Sequence, residues 1–539
     1  MGTSNKKRVI LIVIDGFGVS LTEQGNAISS ARTPTFDFLE EHFPFGVLKA
    51  SGISVGLSWH EAGNSEVGHM TMGIGRITYQ YLPRIINAIR DGSFFTNPQF
   101  VRAVDHVKKN NSTLHLVGLL GTGAVHSYID HLYALLDLAR KKEISDKVVL
   151  HIFTDGKDSL PDDGAKLVSA LQERLTETKT GIIASITGRF YAMDRDFNWD
   201  RTEAAYRALV EGKGEQLDNP VKYLETSYAK GFEDHSIKPG VVYGKDNKPV
   251  ALIKDGDSVI FFNYREDRER QLGKAIALPD LVPFKTTKFK NLCFVSMTQY
   301  EDVFKDIAAF PPPVIANCLS EVLSANGVAQ LHLAETEKYA HVTYFFNGTI
   351  EKPFTGEDRI LVPSPEAVSY HEVPEMSTPE IANKLFHALE EGKYQFLLVN
   401  LANCDMVGHT GDFEATIKAV ESVDEAIKKI LDVVLADEYT TLIITADHGK
   451  AERMIDPHSG ERLTEHSTND VPVFVVNKAY EREVADVERF RAKRESIGLL
   501  SDIAPTVLDL FGITIPKEMT GRSLLEDLGL QNVWRKTQE

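Results

Sequence analysis

Short apolar, β-branched runs alternate with stretches of helical periodicity through most of the chain, which restricts it to largely parallel sheets flanked by helices. VILIVI (9–14) reads as a buried strand, and so do TLHLVGLL (113–120), KVVLHIFTDG (147–156), GIIASITG (181–188) and SVIFFNY (258–264). Residues 130–143, 164–178 and 199–211 carry helical periodicity. Further on, YQFLLVNLA (394–402) and TTLIITADHG (440–449) read as strands around a helix from Asp412 to Leu435. That helix places Phe413, Ile417, Val420, Val423, Ile427, Ile430 and Val434 on one face, with Asp412 as its N-cap. A chain of 539 residues exceeds one ordinary core. FPPP (310–313) and the stretch from Gly75 to Pro83 mark two breaks. The expectation is an α/β protein of two domains, each a mainly parallel sheet flanked by helices: a discontinuous outer domain, 1–79 and 313–539, and an inserted domain, 80–312.

The charge balance narrows the function. With 59 basic against 77 acidic residues the formal charge is −18, and a nucleic-acid partner is not expected. KKRVILIVIDG resembles a signal sequence superficially, but its apolar run is six residues long and meets Asp15 at once. No membrane association is expected. Three cysteines, Cys293, Cys318 and Cys404, have neither metal-ligand nor disulfide spacing and suit a reducing cytoplasm.

Ligands of an open α/β sheet bind at the carboxyl ends of its strands. Three outer-domain strands end in the same chemistry. VILIVI runs into Asp15; the second leads into NLANCDMVGHTG, with Asp405 and His409; the third ends at Asp447 and His448, and His466 follows in TEHSTND. Alone, each has an ordinary reading: Asp15 as a cap, Asp405 and His409 as a helical ion pair, His466 as a surface imidazole. Together, carboxylates with imidazoles and no thiolate predict a site for Mn²⁺, Zn²⁺ or Co²⁺. Six such groups exceed one four-coordinate ion and point to two. Ser65, in AGNSEVGHMTMG, then has a role. A serine hydroxyl needs a base or a metal to become a nucleophile, and two ions would activate it and clamp a phosphoryl group. Asn64 or Ser65 would also cap a following helix.

At this point the chain resembles the cofactor-independent phosphoglycerate mutases of the alkaline phosphatase superfamily. The likeness covers nearly all of it: VIDGFG, GNSEVGHMTMGIGRITYQ, AVHSYIDHLYALL, TDGKDS, GRFYAMDRDFNWDR, FFNYREDR, EKYAHVTYFFNG, DMVGHTG, TADHG and IAPTVLDLFGI…EMTGRSLL. The resemblance implies an alkaline-phosphatase-like metal domain carrying two divalent ions, commonly manganese, with magnesium, cobalt or zinc as alternatives, and an inserted phosphotransferase domain. It places Asp405, His409 and His466 on one ion, and Asp15, Asp447, His448 and Ser65 on the other. No 2,3-bisphosphoglycerate is required. The expected protein is a cytoplasmic monomer acting on a small molecule.

The inserted domain reads independently as an anion site. Its strand ends and following loops present His126, Lys157, Asp158, Arg189, Arg195, Arg265 and Arg268, and guanidinium forks suit a substrate with both carboxylate and phosphate. By resemblance these residues, with Lys338 of the outer domain, line the site for 3-phosphoglycerate. Ser65 would take the phosphoryl group, glycerate would stay and reorient, and its 2-hydroxyl would recover the group as 2-phosphoglycerate. Asp158 would serve as acid and base at the glycerate hydroxyls, and opening and closing about the two linkers would accompany turnover. Several residues depart from the family pattern: Lys157 for arginine in DGRD, Glu266 for proline in FRPDR, GTGAVHS for SDGGVHS, Cys404 for proline and Lys450 for asparagine. The alternatives are a metal-dependent phosphomonoesterase, a mutase for another phosphate ester, and a degenerate homologue that only binds phosphorylated metabolites. A hydrolase would not need the cationic insertion, and a degenerate homologue would lack a ligand or the nucleophile.

Overall fold

The VILIVI run forms the strand Arg8–Ile14, buried at every position but the first. β-Branched residues buried on both faces belong in the middle of a sheet, and this strand pairs in parallel with Phe396–Leu401 on one side and Thr440–Thr445 on the other. The computed structural model describes residues 7–531. The chain divides into two units, Met1–Gln80 with Val314–Glu539 and Tyr81–Pro313.

The sheet of the first unit has eight strands in the order Glu357–Val362, Gln330–Glu335, Phe396–Leu401, Arg8–Ile14, Thr440–Thr445, Val471–Val476, Phe45–Lys49, Ser496–Leu499. It is parallel except at Val471–Val476, which runs antiparallel to both neighbours. The long helix is Phe413–Leu435, and Asp412 caps it by accepting the Ala415 N–H at 2.9 Å. Its buried face includes Val420, Val423, Ile427, Ile430 and Val434, whereas Phe413 and Ile417 are only half buried.

The sheet of the second unit also has eight strands: Ala308–Phe310, Cys293–Thr298, Ser258–Phe261, Leu114–Leu120, Val148–Thr154, Ile182–Gly188, Gly240–Val242, Glu215–Leu217. Gly240–Val242 pairs antiparallel with Ile182–Gly188, and Glu215–Leu217 pairs parallel with it, so these two strands run against the others. Helices Ile129–Lys141, Gly164–Thr178 and Trp199–Glu211 occupy the predicted stretches. Two strands end earlier than their apolar runs suggest. SVIFFNY leaves the ladder at Phe261 and TTLIITADHG at Thr445, and side chains just beyond accept backbone N–H groups of neighbouring segments. Asn263 accepts the Leu119 N–H at 2.8 Å, and Asp447 accepts that of Gly16 at 3.3 Å. All three cysteines are free and buried. Among the described residues no helix is long and apolar enough to cross a membrane.

Candidate active site

The carboxyl ends of four parallel strands of the first unit deliver its buried polar groups. Asp15 follows Arg8–Ile14 directly, Asp405 lies in the short helix Asn403–Gly408 beyond Phe396–Leu401, and Asp447 and His448 stand two and three residues beyond Thr440–Thr445. Lys338 closes the 3-10 turn Thr336–Lys338 after Gln330–Glu335. Ser65 is the first residue of the helix Ser65–Ile74, and Asn64 is its cap, accepting the Val67 N–H at 2.9 Å. Gly68 of this helix lies so close to the next strand end that a Cβ there would stand 2.6 Å from the Asp447 carbonyl oxygen.

These side chains converge. Ser65 Oγ donates to Asp15 Oδ1 at 2.9 Å, accepts from Lys338 Nζ at 2.8 Å and lies 3.1 Å from His448 Nε2. Lys338 Nζ also donates to Asp15 Oδ1 at 2.7 Å and Asp405 Oδ2 at 2.6 Å. Burial works against ionising Asp15, but the Lys338 ammonium, aided by His448, holds its carboxyl well below the usual range. Burial likewise opposes the charge on Asp405, and Lys338 again leads in holding it down. For His448, burial disfavours the cation, yet Asp447, Asp15 and Asp405 push its pKa up to about 9.

His409 and His466 form the outer edge of the cluster. Each donates Nδ1–H to a backbone carbonyl at 2.8 Å, Thr464 and Gly63 respectively, which fixes the tautomer and turns the Nε2 lone pairs inward. The two Nε2 atoms are 2.9 Å apart, and each is 3.2 Å from Asp405 Oδ1. Three electron-rich atoms at such spacing match the edges of a coordination shell. Asp405 Oδ1 and Asp447 Oδ2 are buried without a hydrogen-bond donor. This oxygen and imidazole set fits divalent cations. Asp405, His448 and His466 offer atoms within 4.8 Å of one another, as do Asp15, His69 and Asp447, while His448 also reaches Asp15 at 3.3 Å.

Three residues here escaped the sequence reading. His69 lies one helical turn after Ser65, gives Nδ1–H to the Ser65 carbonyl at 2.9 Å and meets Asn400 Nδ2 through Nε2 at 3.1 Å. Both ring nitrogens are thus engaged within the protein, and His69 acts as a support for the nucleophile helix. Asn400 also donates to Asp15 Oδ2 at 2.8 Å. A polar residue inside the apolar run YQFLLVNLA was the available signal. The third is Glu452, described below.

The second unit gathers most of the predicted anion-binding set. Arg189 is buried and donates through Nη1 to Asp155 and, at 2.6 Å, to Asp158. Burial opposes its charge, but these two carboxylates raise its pKa further. Arg195 meets Asp267 at 2.6 Å, Arg265 reaches the same carboxylate at 3.2 Å, and Arg268 donates to the Met193 carbonyl at 3.3 Å. His126 stands 3.9 Å from Asp158 and 3.7 Å from both Asp267 and Glu269; burial, then Arg189, push it down to about 4 and keep it neutral. Lys157 is exposed, its backbone N–H turned to Asp155 at 3.3 Å. Lys338 belongs to the cluster around Ser65 in the first unit. Of the departures, Glu266 accepts from the Tyr81 hydroxyl at 2.9 Å, while Cys404 and Lys450 are fully buried.

A buried serine among carboxylates and imidazoles at the strand ends of an α/β sheet defines a metal-dependent hydrolase or transferase centre. In keeping with that, the family model of the Metalloenzyme superfamily matches residues 7–515. Relatives narrow the class. The 2,3-bisphosphoglycerate-independent phosphoglycerate mutase of Clostridium perfringens is 47% identical over 97% of this chain and 99% of its own, and that of Clostridioides difficile 46% identical over 96% and 99%. A solved Leishmania mexicana phosphoglycerate mutase, determined at low cobalt concentration, is 29% identical with a TM-score of 0.53, covering 96% of this chain and 97% of that one. The chain belongs to the 2,3-bisphosphoglycerate-independent phosphoglycerate mutases.

Proposed function

We propose that this protein interconverts 3-phosphoglycerate and 2-phosphoglycerate through a phosphoserine at Ser65. The observation that carries the reading is the convergence of Asp15, Lys338 and His448 on Ser65 Oγ, all within 3.1 Å. Asp405, His409 and His466 would hold one divalent ion, and Asp15, Asp447, His448 and Ser65 a second, manganese being the expected metal. When bound, the ions supply Lewis acidity that lowers the hydroxyl pKa and offsets phosphoryl charge.

In the first half-reaction Ser65 Oγ forms a bond to phosphorus while the bond from phosphorus to the glycerate 3-oxygen breaks. Ser65 Oγ gives up its proton to solvent as the bond forms, and Lys338 Nζ stabilises charge at Oγ and the incoming phosphoryl oxygens. Asp158 gives a proton to the departing 3-oxygen. In the second half-reaction Asp158 takes the proton of the 2-hydroxyl, that oxygen attacks phosphorus, and Ser65 regains its proton. Arg189, Arg195, Arg265 and Arg268, with His126, would hold the glycerate carboxylate and hydroxyls between the two steps; Lys157 would add a mobile point charge.

Phosphorus NMR tests this: purified protein with MnCl₂ and 3-phosphoglycerate, without 2,3-bisphosphoglycerate, should yield 2-phosphoglycerate. EDTA and Ser65→Ala should each abolish it. Inorganic phosphate as the sole product would mean that water captures the phosphoserine, and the phosphomonoesterase reading would replace this one.

A further inference from the structure

One buried carboxylate joins the loops that carry the predicted metal ligands without being a ligand itself. Glu452 is 2% exposed. Its Oε2 accepts the Gly18 N–H at 3.0 Å and the Lys450 N–H at 2.8 Å. Its Oε1 accepts from Asn469 Nδ2 at 2.9 Å and from Ser467 Oγ. Gly18 is in the loop that begins at Asp15, while Lys450 near Asp447 and His448, and Ser467 and Asn469 near His466, lie at the two ends of the single connection between Thr440–Thr445 and Val471–Val476. Four donors from three stretches of chain in two loops therefore end on one carboxylate.

Two glycines show how tightly the space around it is drawn. A Cβ on Gly18 would lie 2.3–2.6 Å from the carboxylate atoms of Glu452. A Cβ on Gly449 would lie 2.3 Å from Ser467 Oγ and 2.5 Å from Glu452 Oε1. Neither glycine has the positive φ that would by itself require glycine. Both loops lack a side chain where the carboxylate sits.

We propose that Glu452 is a positioning residue for the metal centre, setting the mutual placement of the Asp15, Asp447–His448 and His466 segments before any ion arrives. This rests on the metal-site reading above. Its effect on metal affinity should match that of hydrogen-bonding groups just outside a coordination shell, about 10–100-fold. The division of labour between the two oxygens makes the substitution informative. Glu452→Gln preserves volume and one acceptor, but its amide nitrogen must then face either the two backbone N–H groups or the Ser467 and Asn469 donors. Gly18→Ala attacks the same contact from the other side by displacing the carboxylate.

The test is calorimetric titration of the full-length, EDTA-stripped protein with MnCl₂, alongside amide hydrogen exchange of the stripped forms. Glu452→Gln and Gly18→Ala should each bind Mn²⁺ about 10–100-fold more weakly. Exchange should rise in the 16–20, 448–452 and 464–470 segments and stay unchanged in the central strands. A side chain that served only global stability would instead raise exchange across the whole first unit. If Glu452→Gln does not fold, Ser467→Ala removes a single donor and should still lower affinity severalfold. Wild-type affinity in any folded variant overturns the proposal. Failure of the wild-type protein itself to bind Mn²⁺ would overturn the metal-site reading instead, so the two failures are distinguishable.

Discussion

Replacing Lys338 by methionine should destabilise the metal-stripped protein strongly and the metal-loaded protein little. Lys338 is 4% exposed, and its ammonium lies 2.7 Å from Asp15 and 2.6 Å from Asp405. Methionine fills comparable volume and removes the charge, leaving two buried carboxylates facing each other. Breaking a buried ion pair from one side costs about 3–5 kcal/mol. At about 2.1 cal/mol/K of unfolding entropy per residue, a unit of about 300 residues shifts by about 1.6 °C per kcal/mol, so melting in EDTA should fall by about 5–8 °C. Divalent ions held by the same carboxylates would replace the lost charge, so excess MnCl₂ should recover most of that loss. The gain in melting temperature on adding metal should therefore be larger in the variant than in the wild type. Differential scanning calorimetry of both proteins, each with EDTA and with MnCl₂, measures all four values. A stripped variant melting within about 1 °C of the wild type, less than 1 kcal/mol on the same scale, would refute the charge argument. An equal metal-induced gain in both proteins would show that the ions do not use these carboxylates.

Gly68→Ala should leave the helix Ser65–Ile74 intact, since alanine favours helix by about 1 kcal/mol, yet lower kcat at least about tenfold by pushing Ser65 from its partners, as about 1.4 kcal/mol suffices for that; steady-state kinetics with circular dichroism separates the two effects. Arg189→Lys keeps the charge but replaces the planar guanidinium, whose Nη1 donates to both Asp155 and Asp158 and whose remaining N–H groups would meet the substrate, and should raise KM for 3-phosphoglycerate by roughly tenfold or more through one lost charged hydrogen bond; an unchanged KM would remove Arg189 from the substrate site. Glu269 faces His126 and Asp267, and burial, reinforced by Asp267, pushes its carboxyl from 4.5 up to about 8. The folded state then keeps a proton that the unfolded chain releases. The stability this contributes is full below pH 4.5 and is lost as pH rises towards 8, at about 1.4 kcal/mol per unit. Glu269→Gln should flatten that decline in urea titrations, and parallel pH profiles for the two proteins would show that the buried carboxyl does not hold the proton.

The parts of the site legible in the sequence are those where local pattern and chemistry coincide. Asp15, Asp405, Asp447 and His448 each follow an apolar run, so strand ends and polar groups could be read together. Sheet interiors were readable for the same reason, through dense β-branched runs. The reversed strands Val471–Val476, Gly240–Val242 and Glu215–Leu217 were not, because direction within a sheet depends on what a strand pairs with. Lys338 carries no local signal and entered only through family resemblance; its contacts come from residues 67 and 323 positions away. His69 and Glu452 carry no such signal in their own segments either. Their roles depend on partners supplied by other segments, and no periodicity in their own neighbourhood encodes that.

The place of Arg8–Ile14 in the middle of its sheet has a consequence for how the protein is made. Its two neighbours, Phe396–Leu401 and Thr440–Thr445, leave the ribosome hundreds of residues later. The contact between Gly16 and Asp447 spans 431 positions of sequence. The second unit, continuous from Tyr81 to Pro313, has all its strands available long before that. A nascent chain therefore carries a sticky, unpaired central strand ahead of a unit that is already able to fold. Ser65 meets Asp447 and His448 only near the end of synthesis, and chains stalled or truncated before Thr440 should lack phosphoryl-transfer activity while exposing the strand most prone to aggregation.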